Sequence, residues 1–448
     1  MSAPSRSAPL SSEALGPAQS DADAPPLEFV ACGSVDDGKS TLIGRLLLDS
    51  GALHSDHLGA AKRSGALDLA SITDGLIAER EQGITIDVAR RFFRSPRRGF
   101  VLADAPGHER HTRNMATACS VADAAVVLVD ATKLDWRSAP PVLLEQTRRH
   151  AWLCSAFDVP SVVFAVNKLD AVEDPAAALS SISSSIESFC QASRIRPRAV
   201  VPVSALLGLN VAGRAPAGWA GFDGPCLLEI LEGLPTLADE ARARSARAPL
   251  ALPAQWIQRR GAPQAPGASA RVAWGRVERG VCRPGLDVEI FPSGEKARVA
   301  ASWDRSRRAA SVEAGWSAGV GLDREVDCAR GDWILETGAG APARGRRFLA
   351  TCAWLGEEPL AVGRDYWARH GCRWVKGRIQ EVRSLFDLAG GSLPPGPLSQ
   401  NSIAQVIVEL REPIPFLPYK ESRALGAMAL VDASTDDTCA AIMIQEAA

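Results

Sequence analysis

The chain has 448 residues, which at roughly 150 residues per domain suggests about three domains. Hydrophobic residues make up 46% and charged residues 23% of the sequence, both ordinary values for a globular protein. With 50 Lys and Arg against 52 Asp and Glu, the net charge is -2. This balance excludes binding through a large uniform positive field, although it leaves room for a local basic patch.

The first 26 residues are rich in Ser, Ala and Pro and contain no apolar core of the kind that a signal peptide needs. This composition predicts a disordered tail over residues 1–26. No apolar run approaches the ~18–20 residues that span a bilayer. The 10 cysteines are scattered without a C-x-x-C pair, so we expect reduced, buried thiols. These features together predict a cytoplasmic protein with no membrane partner.

Residues 27–235 alternate short apolar runs with helix-like stretches. The apolar runs predict strands within residues 27–33, 100–107, 124–131, 161–170 and 198–205. The stretches between them predict helices within residues 40–50, 111–123, 143–157 and 177–193. Such alternation, with strands that are apolar throughout, is typical of a doubly wound, mostly parallel sheet covered by helices on both faces.

The pattern changes after a polar, Pro-containing linker that begins near residue 235. From about residue 248, short strand-like runs follow one another and are separated by Gly-rich turns. This pattern predicts a small β-barrel over residues 248–337. A second break near residues 337–347 precedes another β-type region, which predicts a further domain over residues 346–448.

The first predicted strand leads into the sequence GSVDDGKST, which fits G-x-x-x-x-G-K-[ST] between a strand and a helix. Glycines let backbone N–H groups wrap a phosphate, and the N-terminus of the following helix favours negative charge. We expect Lys39 to reach the β- and γ-phosphates and the Ser40 hydroxyl to bind Mg²⁺. The predicted nucleotide contacts of this P-loop are Gly33, Ser34, Val35, Asp36, Asp37, Gly38, Lys39, Ser40 and Thr41.

Two further segments are candidates for contacts near the γ-phosphate. Asp104 ends a predicted strand and can hold Mg²⁺ through water, while Gly107 can offer its N–H to the γ-phosphate. Ala105, Pro106 and His108 complete this second segment. Thr85 can bind Mg²⁺ and the γ-phosphate only when GTP is present, which would make its loop an order–disorder switch. The alternative is that Thr85 is an ordinary strand residue.

A fourth motif predicts which base is bound. Asn167, Lys168 and Asp170 form N-K-x-D after a predicted strand. An Asp at this place can accept hydrogen bonds from both the ring N–H and the exocyclic amine of guanine, a pair that adenine does not offer. The motif therefore predicts GTP, and its base-binding loop is completed after the next strand by Ser204, Ala205 and Leu206.

These residues resemble the translation-factor class of GTPases and, within it, the large GTP-binding subunits of heterodimeric bacterial sulfate adenylyltransferases. Asp37 is informative, because elongation factors usually carry His or Ser just before the second P-loop glycine. The resemblance implies an elongation-factor-like fold, in which an α/β P-loop GTPase domain over residues 27–235 is followed by two β-barrel domains. It is carried by residues 33–50, 74–93, 107–123, 145–150, 167–170, 201–211, 321–334, 357–373 and 411–438.

The resemblance implies that this chain hydrolyses GTP while a small catalytic subunit, of the ATP-pyrophosphatase type, makes adenosine 5′-phosphosulfate and pyrophosphate from ATP and sulfate. His108 would position the attacking water. The implied catalytic residues are His108, Lys39, Thr85 and Gly107. The implied ligands are GTP or GDP and Mg²⁺, with the metal held by Ser40, Thr85 and Asp104.

The sequence also departs from the family. Ala105 replaces the usual Thr, and Leu209 stands where the family has Asp. The stretch over residues 132–144 is longer than the family's loop, and we expect a surface insertion that alters a partner contact. The sequence has no second P-loop, so it is not expected to be the form fused to an adenylylsulfate kinase. It also lacks S-G-G-x-D-S, the ATP-pyrophosphatase loop of the small subunit.

Two alternatives stay open at this point: a translation-type factor that carries aminoacyl-tRNA, and a regulatory GTPase that has lost catalytic coupling. Asp37, the run over residues 79–87 and the stretch over residues 107–123 favour the sulfate enzyme. A nucleic-acid partner is therefore not expected.

The base motif yields a direct test. Asp170→Asn should weaken GTP binding and improve binding of xanthosine triphosphate, because the amide complements the xanthine edge instead of the guanine edge. A hydrogen bond to a charged group of this kind is worth roughly 1.5–3 kcal/mol. Titration of the unaltered protein and of the variant with GTP and with xanthosine triphosphate measures the change in base specificity. Unchanged GTP affinity in the variant would contradict the guanine assignment.

Overall fold

The structure is a computed structural model. It describes residues 26–52, 69, 89–105, 112–137, 141–193, 195–245, 247–260, 269–305, 307–386 and 392–448. The predicted tail over residues 1–26 lies outside these ranges except for Pro26. No helix in the described ranges is long and apolar enough to cross a membrane. All 10 cysteines are free thiols and, as expected, all but the half-buried Cys372 are buried.

The first sheet has six strands in the order β2-β3-β1-β4-β5-β6. All neighbouring pairs are parallel except β2 with β3, so the predicted doubly wound, mostly parallel sheet is confirmed. Every residue of β4 and β5 is buried, as expected for strands covered on both faces. The strands are β1 (Leu27–Cys32), β2 (Ala89–Arg94), β3 (Gly99–Asp104), β4 (Ala124–Asp130), β5 (Ser161–Asn167) and β6 (Pro197–Pro202).

Six α-helices accompany this sheet within the described ranges. They are α1 (Lys39–Asp49), α2 (Thr112–Val121), α3 (Glu145–Ala156), α4 (Pro175–Ala192), α5 (Leu227–Glu232) and α6 (Leu237–Ser245). Helix α4 begins two residues before the predicted stretch, because the Asp174 side chain caps Ala177 N at 3.1 Å and Pro175 suits the first turn. Helix α6 lies in the segment that the sequence predicts as a polar linker. Its start is fixed by Asp239, which accepts from the backbone N–H and hydroxyl of Thr236.

The second region is an antiparallel eight-stranded sheet with β13 attached to β12. Its edge strand β7 hydrogen-bonds to the segment just after β9, through Ala251 N to Arg279 O at 3.0 Å, which closes the sheet. Gly275 permits this closure, since a Cβ there would lie 1.9 Å from the Pro253 carbonyl oxygen. The strands are β7 (Ala251–Pro253), β8 (Trp256–Arg259), β9 (Arg271–Arg276), β11 (Asp287–Phe291), β12 (Glu295–Asp304), β13 (Arg307–Ala309), β15 (Ser317–Leu322) and β16 (Trp333–Glu336), with β10 (Val281–Cys282) and β14 (Val312–Glu313) as a separate pair.

The third region is a closed barrel, because β18 pairs with both β22 and β19. Its long strands β17, β19 and β21 run side by side and surround a separate apolar core. The two predicted barrels are thus confirmed. The elements are β17 (Ala343–Trp354), β18 (Tyr366–His370), β19 (Arg373–Phe386), β20 (Ser392–Leu393), β21 (Ile403–Phe416), α7 (Arg423–Gly426), β22 (Ala427–Val431) and β23 (Thr438–Ala447).

The third region packs directly on α2 and α3 of the first. Ala353, Leu355 and Met443 belong to the same apolar core as the helices that cover the parallel sheet. Arg423 of α7 donates to the carbonyl of Ser120, at the end of α2, at 3.1 Å. The hydroxyl of Tyr419 donates to the Phe157 carbonyl at 3.2 Å. Because apolar and polar contacts coincide here, the two regions are expected to move together.

Two buried histidines make the stability of this arrangement sensitive to acid. Burial lowers the pKa of His150 to about 3 and the pKa of His370 to about 4. In the unfolded chain both would titrate near 6.5, so between that pH and about 4 the unfolded state binds more protons than the folded one. The free energy of unfolding should therefore fall as pH drops through this window, with about 3 kcal/mol coming from His370.

Urea denaturation at several pH values, compared between the unaltered protein and His370→Gln, measures the His370 contribution. Gln keeps a donor for the Leu425 carbonyl, which lies 3.1 Å from the His370 Nε2. The variant should lose stability less steeply below pH 6.5, because only one of the two buried histidines, His150, remains in it. Identical slopes would contradict the assignment.

Candidate functional site

The P-loop forms where β1 ends and α1 begins, at the carboxyl edge of the parallel sheet. Gly38 is the last residue before α1 and has φ +90°. A Cβ at Gly38 would lie 2.5 Å from the Nδ2 of Asn167, so the loop can approach the end of β5 only with glycine there. The sequence pattern thus places the loop at the N-terminus of an 11-residue helix, whose dipole favours an anion.

The carbonyls of the loop are held by side chains. Lys39 Nζ donates to Gly33 O at 3.0 Å and to Ser34 O at 2.9 Å. The next three carbonyls accept from outside the loop: Val35 O from Lys133 at 2.5 Å, Asp36 O from Lys168 at 2.6 Å and Asp37 O from Asn167 at 2.8 Å. In a trans peptide the C=O and the following N–H point in opposite directions. Carbonyls held from outside therefore turn the following N–H groups inward, and this builds a cradle for an anion.

Lys39 is the cation inside this cradle. Its side chain is buried, and burial lowers the pKa of the ammonium, an effect that the nearby carboxylates of Asp104 and Asp37 oppose. The proximity of Asp104 follows from the sheet, since Asp104 is the last residue of β3 and pairs with Ala31 of β1. The predicted convergence of the P-loop with the end of β3 is therefore observed for Lys39 and Asp104.

The base-binding motif lies at the end of β5, on the same edge of the sheet. The Asn167 side chain bridges two loops, because its Nδ2 donates to Asp37 O and its Oδ1 accepts from Ala205 N at 3.0 Å. Arg45 of α1 donates to the carbonyls of Ala205 and Leu206, which ties the same loop to the helix after the P-loop. Asp170 is exposed in the one-turn helix Leu169–Ala171, so its carboxylate is accessible to a ligand.

The loop after β6 is held by its own backbone and by Asn210. Ser204 N donates to Leu209 O at 3.0 Å, and the Ser204 hydroxyl accepts from Leu207 N at 3.2 Å. Asn210 is buried and donates to Pro202 O at 2.9 Å. The departure from the family at Leu209 therefore leaves a loop that is closed by backbone hydrogen bonds.

The predicted site residues not mentioned so far form two groups, those outside the described residues and those near the P-loop. Thr85, Pro106, Gly107 and His108 lie outside the described residues, so their predicted roles stay predictions. Ser40 and Thr41 are half-buried in the first turn of α1, and Ala105 is buried next to Asp104. The hydroxyl of Ser40 and the carboxylate of Asp104 are oxygen ligands of the type that Mg²⁺ prefers, so this donor set fits the predicted metal.

Two charged residues at the site escaped the sequence analysis. Lys133 follows β4 and reaches the Val35 carbonyl and the Asp37 carboxylate, while Asp130 ends β4 and accepts from Lys168 at 2.7 Å. Burial raises the pKa of Asp130, but hydrogen bonds from Lys168 and Thr132 outweigh that effect and leave the pKa lowered. The available signal was the position of Asp130, since a carboxylate that ends a fully buried strand faces the ligand edge of such a sheet.

The bridging role of Asn167 can be tested by truncation. Asn167→Ala should weaken guanine nucleotide binding and lower the stability, because it leaves the buried Asp37 carbonyl and Ala205 N–H without this partner, at roughly 1–3 kcal/mol per unsatisfied group. Asn210→Ala is the matched control, since it also removes a buried bridging amide but does not touch the P-loop. Nucleotide titration and thermal melting should separate the two variants, and equal nucleotide affinities would contradict the role given to Asn167.

Comparison with known proteins agrees with this geometry. Residues 25–240 match the family model of the elongation factor Tu GTP-binding domain, and residues 347–445 match that of the GTP-eEF1A C-terminal domain-like family. Sulfate adenylyltransferase subunit 1 of Laribacter hongkongensis is 38% identical over 438 residues, which cover 94% of this chain and 85% of that protein.

Two further relatives extend the comparison. The protein of the same name from Rhizobium meliloti is 40% identical over 434 residues, which cover 94% of this chain and 82% of that protein. The bifunctional enzyme NodQ of Azospirillum brasilense is 39% identical over 430 residues, which cover 94% of this chain and 66% of that enzyme. Relatedness of this extent runs through all three regions of the fold. The chain therefore belongs to the sulfate adenylyltransferase subunit 1 family of translation-factor GTPases.

Proposed function

We propose that this chain is the GTP-hydrolysing subunit of a sulfate adenylyltransferase. In this function it couples GTP hydrolysis to the formation of adenosine 5′-phosphosulfate and pyrophosphate from ATP and sulfate by a separate small subunit of the ATP-pyrophosphatase type. The observation that carries the proposal is the cradle at residues 33–38, where the carbonyls of Val35, Asp36 and Asp37 are held from outside the loop, two of them by Lys168 and Asn167 of the N-K-x-D motif.

The division of labour follows from the chemistry of the residues. Lys39 and the inward N–H groups of the loop bind the phosphates, and Asp170 reads the guanine edge. When bound, Mg²⁺ would neutralise phosphate charge, with Ser40, Thr85 and Asp104 as its protein-side residues. Gly107 would donate its N–H to the γ-phosphate, and His108 would position the attacking water.

A path from the nucleotide to the barrels is available. Helix α2 begins five residues after Gly107 in the sequence, and its last turn is held by Arg423 of the third region. Arg423 also donates to Asp158 O, beyond the end of α3, at 2.6 Å. A change in the segment before α2 would therefore be transmitted to the third region through packed helices. This supports a role for the barrels in passing the nucleotide state to a partner subunit.

The domain limits are part of the same proposal. The GTP-binding domain spans residues 27–235, and the barrels span residues 248–337 and 346–448. Helix α6, between the first two, is anchored to the GTP-binding domain because Leu237 N donates to the Asp123 carboxylate at 2.6 Å. We propose that the connection between the domains is stiffened by this helix.

Formation of radiolabelled adenosine 5′-phosphosulfate tests the proposal. The chain alone should form none, and together with its cognate small subunit it should raise the yield when GTP is present. A non-hydrolysable GTP analogue should not sustain the same yield, because a ligand that only binds the enzyme cannot shift the equilibrium of a reaction in solution, whereas coupled hydrolysis can. Lys39→Ala should abolish the effect of GTP by removing the charge that holds the phosphates.

Equal yields with GTP, with the analogue and with neither would contradict coupling. Tight GTP-dependent binding of aminoacyl-tRNA would instead favour a translation-type carrier. The Lys39→Ala protein should still melt cooperatively in the absence of nucleotide, even at a lower temperature, which separates loss of function from loss of fold.

A further inference from the structure

The P-loop contains a buried negative charge. The Asp37 side chain is fully buried, and its Oδ2 accepts from Ser34 N within the same loop at 2.6 Å. Burial raises the pKa of this carboxyl, and the hydrogen bond and charge of Lys133 oppose that effect. A carboxylate beside a cradle for phosphate is unfavourable, because like charges repel strongly where water is excluded. The cradle therefore needs a cation that compensates for Asp37.

Lys133 is placed to be that cation. It extends from the one-turn helix Ala131–Lys133 after β4, and its Nζ lies 3.0 Å from the Asp37 Oδ1. The same Nζ donates to the Val35 carbonyl at 2.5 Å. Lys39 is also near Asp37, but it lies inside the loop, where it would pair with the phosphates of a bound nucleotide. Lys133 contacts the loop from outside, so it can stay paired with the carboxylate when phosphate occupies the loop.

The pair belongs to a chain of alternating charges. Beyond Lys133, the Asp130 Oδ2 lies at 3.9 Å, and Lys168 Nζ lies 2.7 Å from that same oxygen. Lys168 in turn donates to the Asp36 carbonyl. Both carboxylates are fully buried, whereas both lysine side chains are about one-third exposed, at 33% and 36%. With two charges of each sign, the network is neutral and adds no net negative charge to the phosphate site.

We infer that Lys133 is a positioning residue of the nucleotide site, which neutralises Asp37 and holds the Val35 carbonyl outward so that the loop attracts phosphate. The inference rests on the proposed function, because it assumes that guanine nucleotide occupies this cradle. A compensating pair and a purely structural ion pair differ in how removal of each partner changes nucleotide binding. If the pair only stabilised the loop, removing either partner would weaken binding. If Lys133 compensates Asp37, the two removals have opposite effects.

Equilibrium binding of fluorescently labelled GDP to the full chain tests this difference. Lys133→Met should weaken GDP binding on the order of 10- to 100-fold, since it leaves a buried carboxylate uncompensated beside the phosphates. Asp37→Asn should tighten binding by roughly threefold or more, because the amide oxygen still accepts from Ser34 N while the negative charge is gone. In the Lys133→Met background, Asp37→Asn should recover most of the lost affinity. Lys133→Arg should retain binding, because it keeps the charge.

Lys296→Met is the matched control, since Lys296 is an exposed lysine on β12 of the first barrel and should leave GDP binding unaltered. Thermal melting without nucleotide reports whether each variant folds. If Lys133→Met does not fold, Asp37→Asn still decides the matter, because weaker GDP binding in that variant overturns the inference. Equal losses in both single variants, or no loss in Lys133→Met, also overturn it. A complete lack of guanine nucleotide binding by the unaltered chain would instead refute the proposed function.

Discussion

The nucleotide site depends on one constraint: the carbonyls of Val35, Asp36 and Asp37 in the P-loop must point away from the ligand. A loop of six residues has too few internal partners to achieve this, so the groups that hold Val35, Asp36 and Asp37 come from the ends of neighbouring strands. Those strand ends can meet the loop only if β1, β4 and β5 are parallel and adjacent, as they are. The shape of the cradle therefore depends on the order of the strands in the sheet.

The packing of the helices follows from the same sheet. Because β4 and β5 are buried on both faces, helices must cover each side, and the core that contains α2, α3 and α4 continues into the third region. The polar contacts of Arg423 and Tyr419 lie at the edge of this core, where they fix the angle at which the barrel meets the helices. A nucleotide-dependent change at the P-loop edge would therefore be conveyed by tightly packed, rigid elements, as the proposed coupling requires.

Some of this arrangement could be predicted from the sequence and some could not. The P-loop and the N-K-x-D motif were visible because their chemistry needs fixed residue types at fixed spacing, and the buried strands were visible as apolar runs. Lys133 was not, because it is an ordinary surface-type lysine whose role arises when the end of β4 lies beside the loop. Strand β2 was also missed, since its arginine-rich sequence suits an edge strand exposed on alternate residues. Closure of the last barrel depends on the pairing of β18 with β22, which are far apart in the sequence, and no local pattern encodes which strands will meet.

The presence of Asp37 in an anion-binding loop has a physical rationale in preorganisation. Its hydrogen bond to Ser34 N joins residues that are three positions apart in the loop and holds the loop in shape, and a neutral amide oxygen at the same place could accept the same bond. A loop held in this way needs less ordering when a phosphate arrives, and ordering is a main cost of binding. The carboxylate provides this rigidity only while its charge is balanced, and the balance is supplied from β4 rather than from within the loop. On the inference drawn for Lys133, the end of β4 and the first residues of the 132–144 stretch would be part of the nucleotide site, and a partner that bound that stretch would act on the P-loop directly.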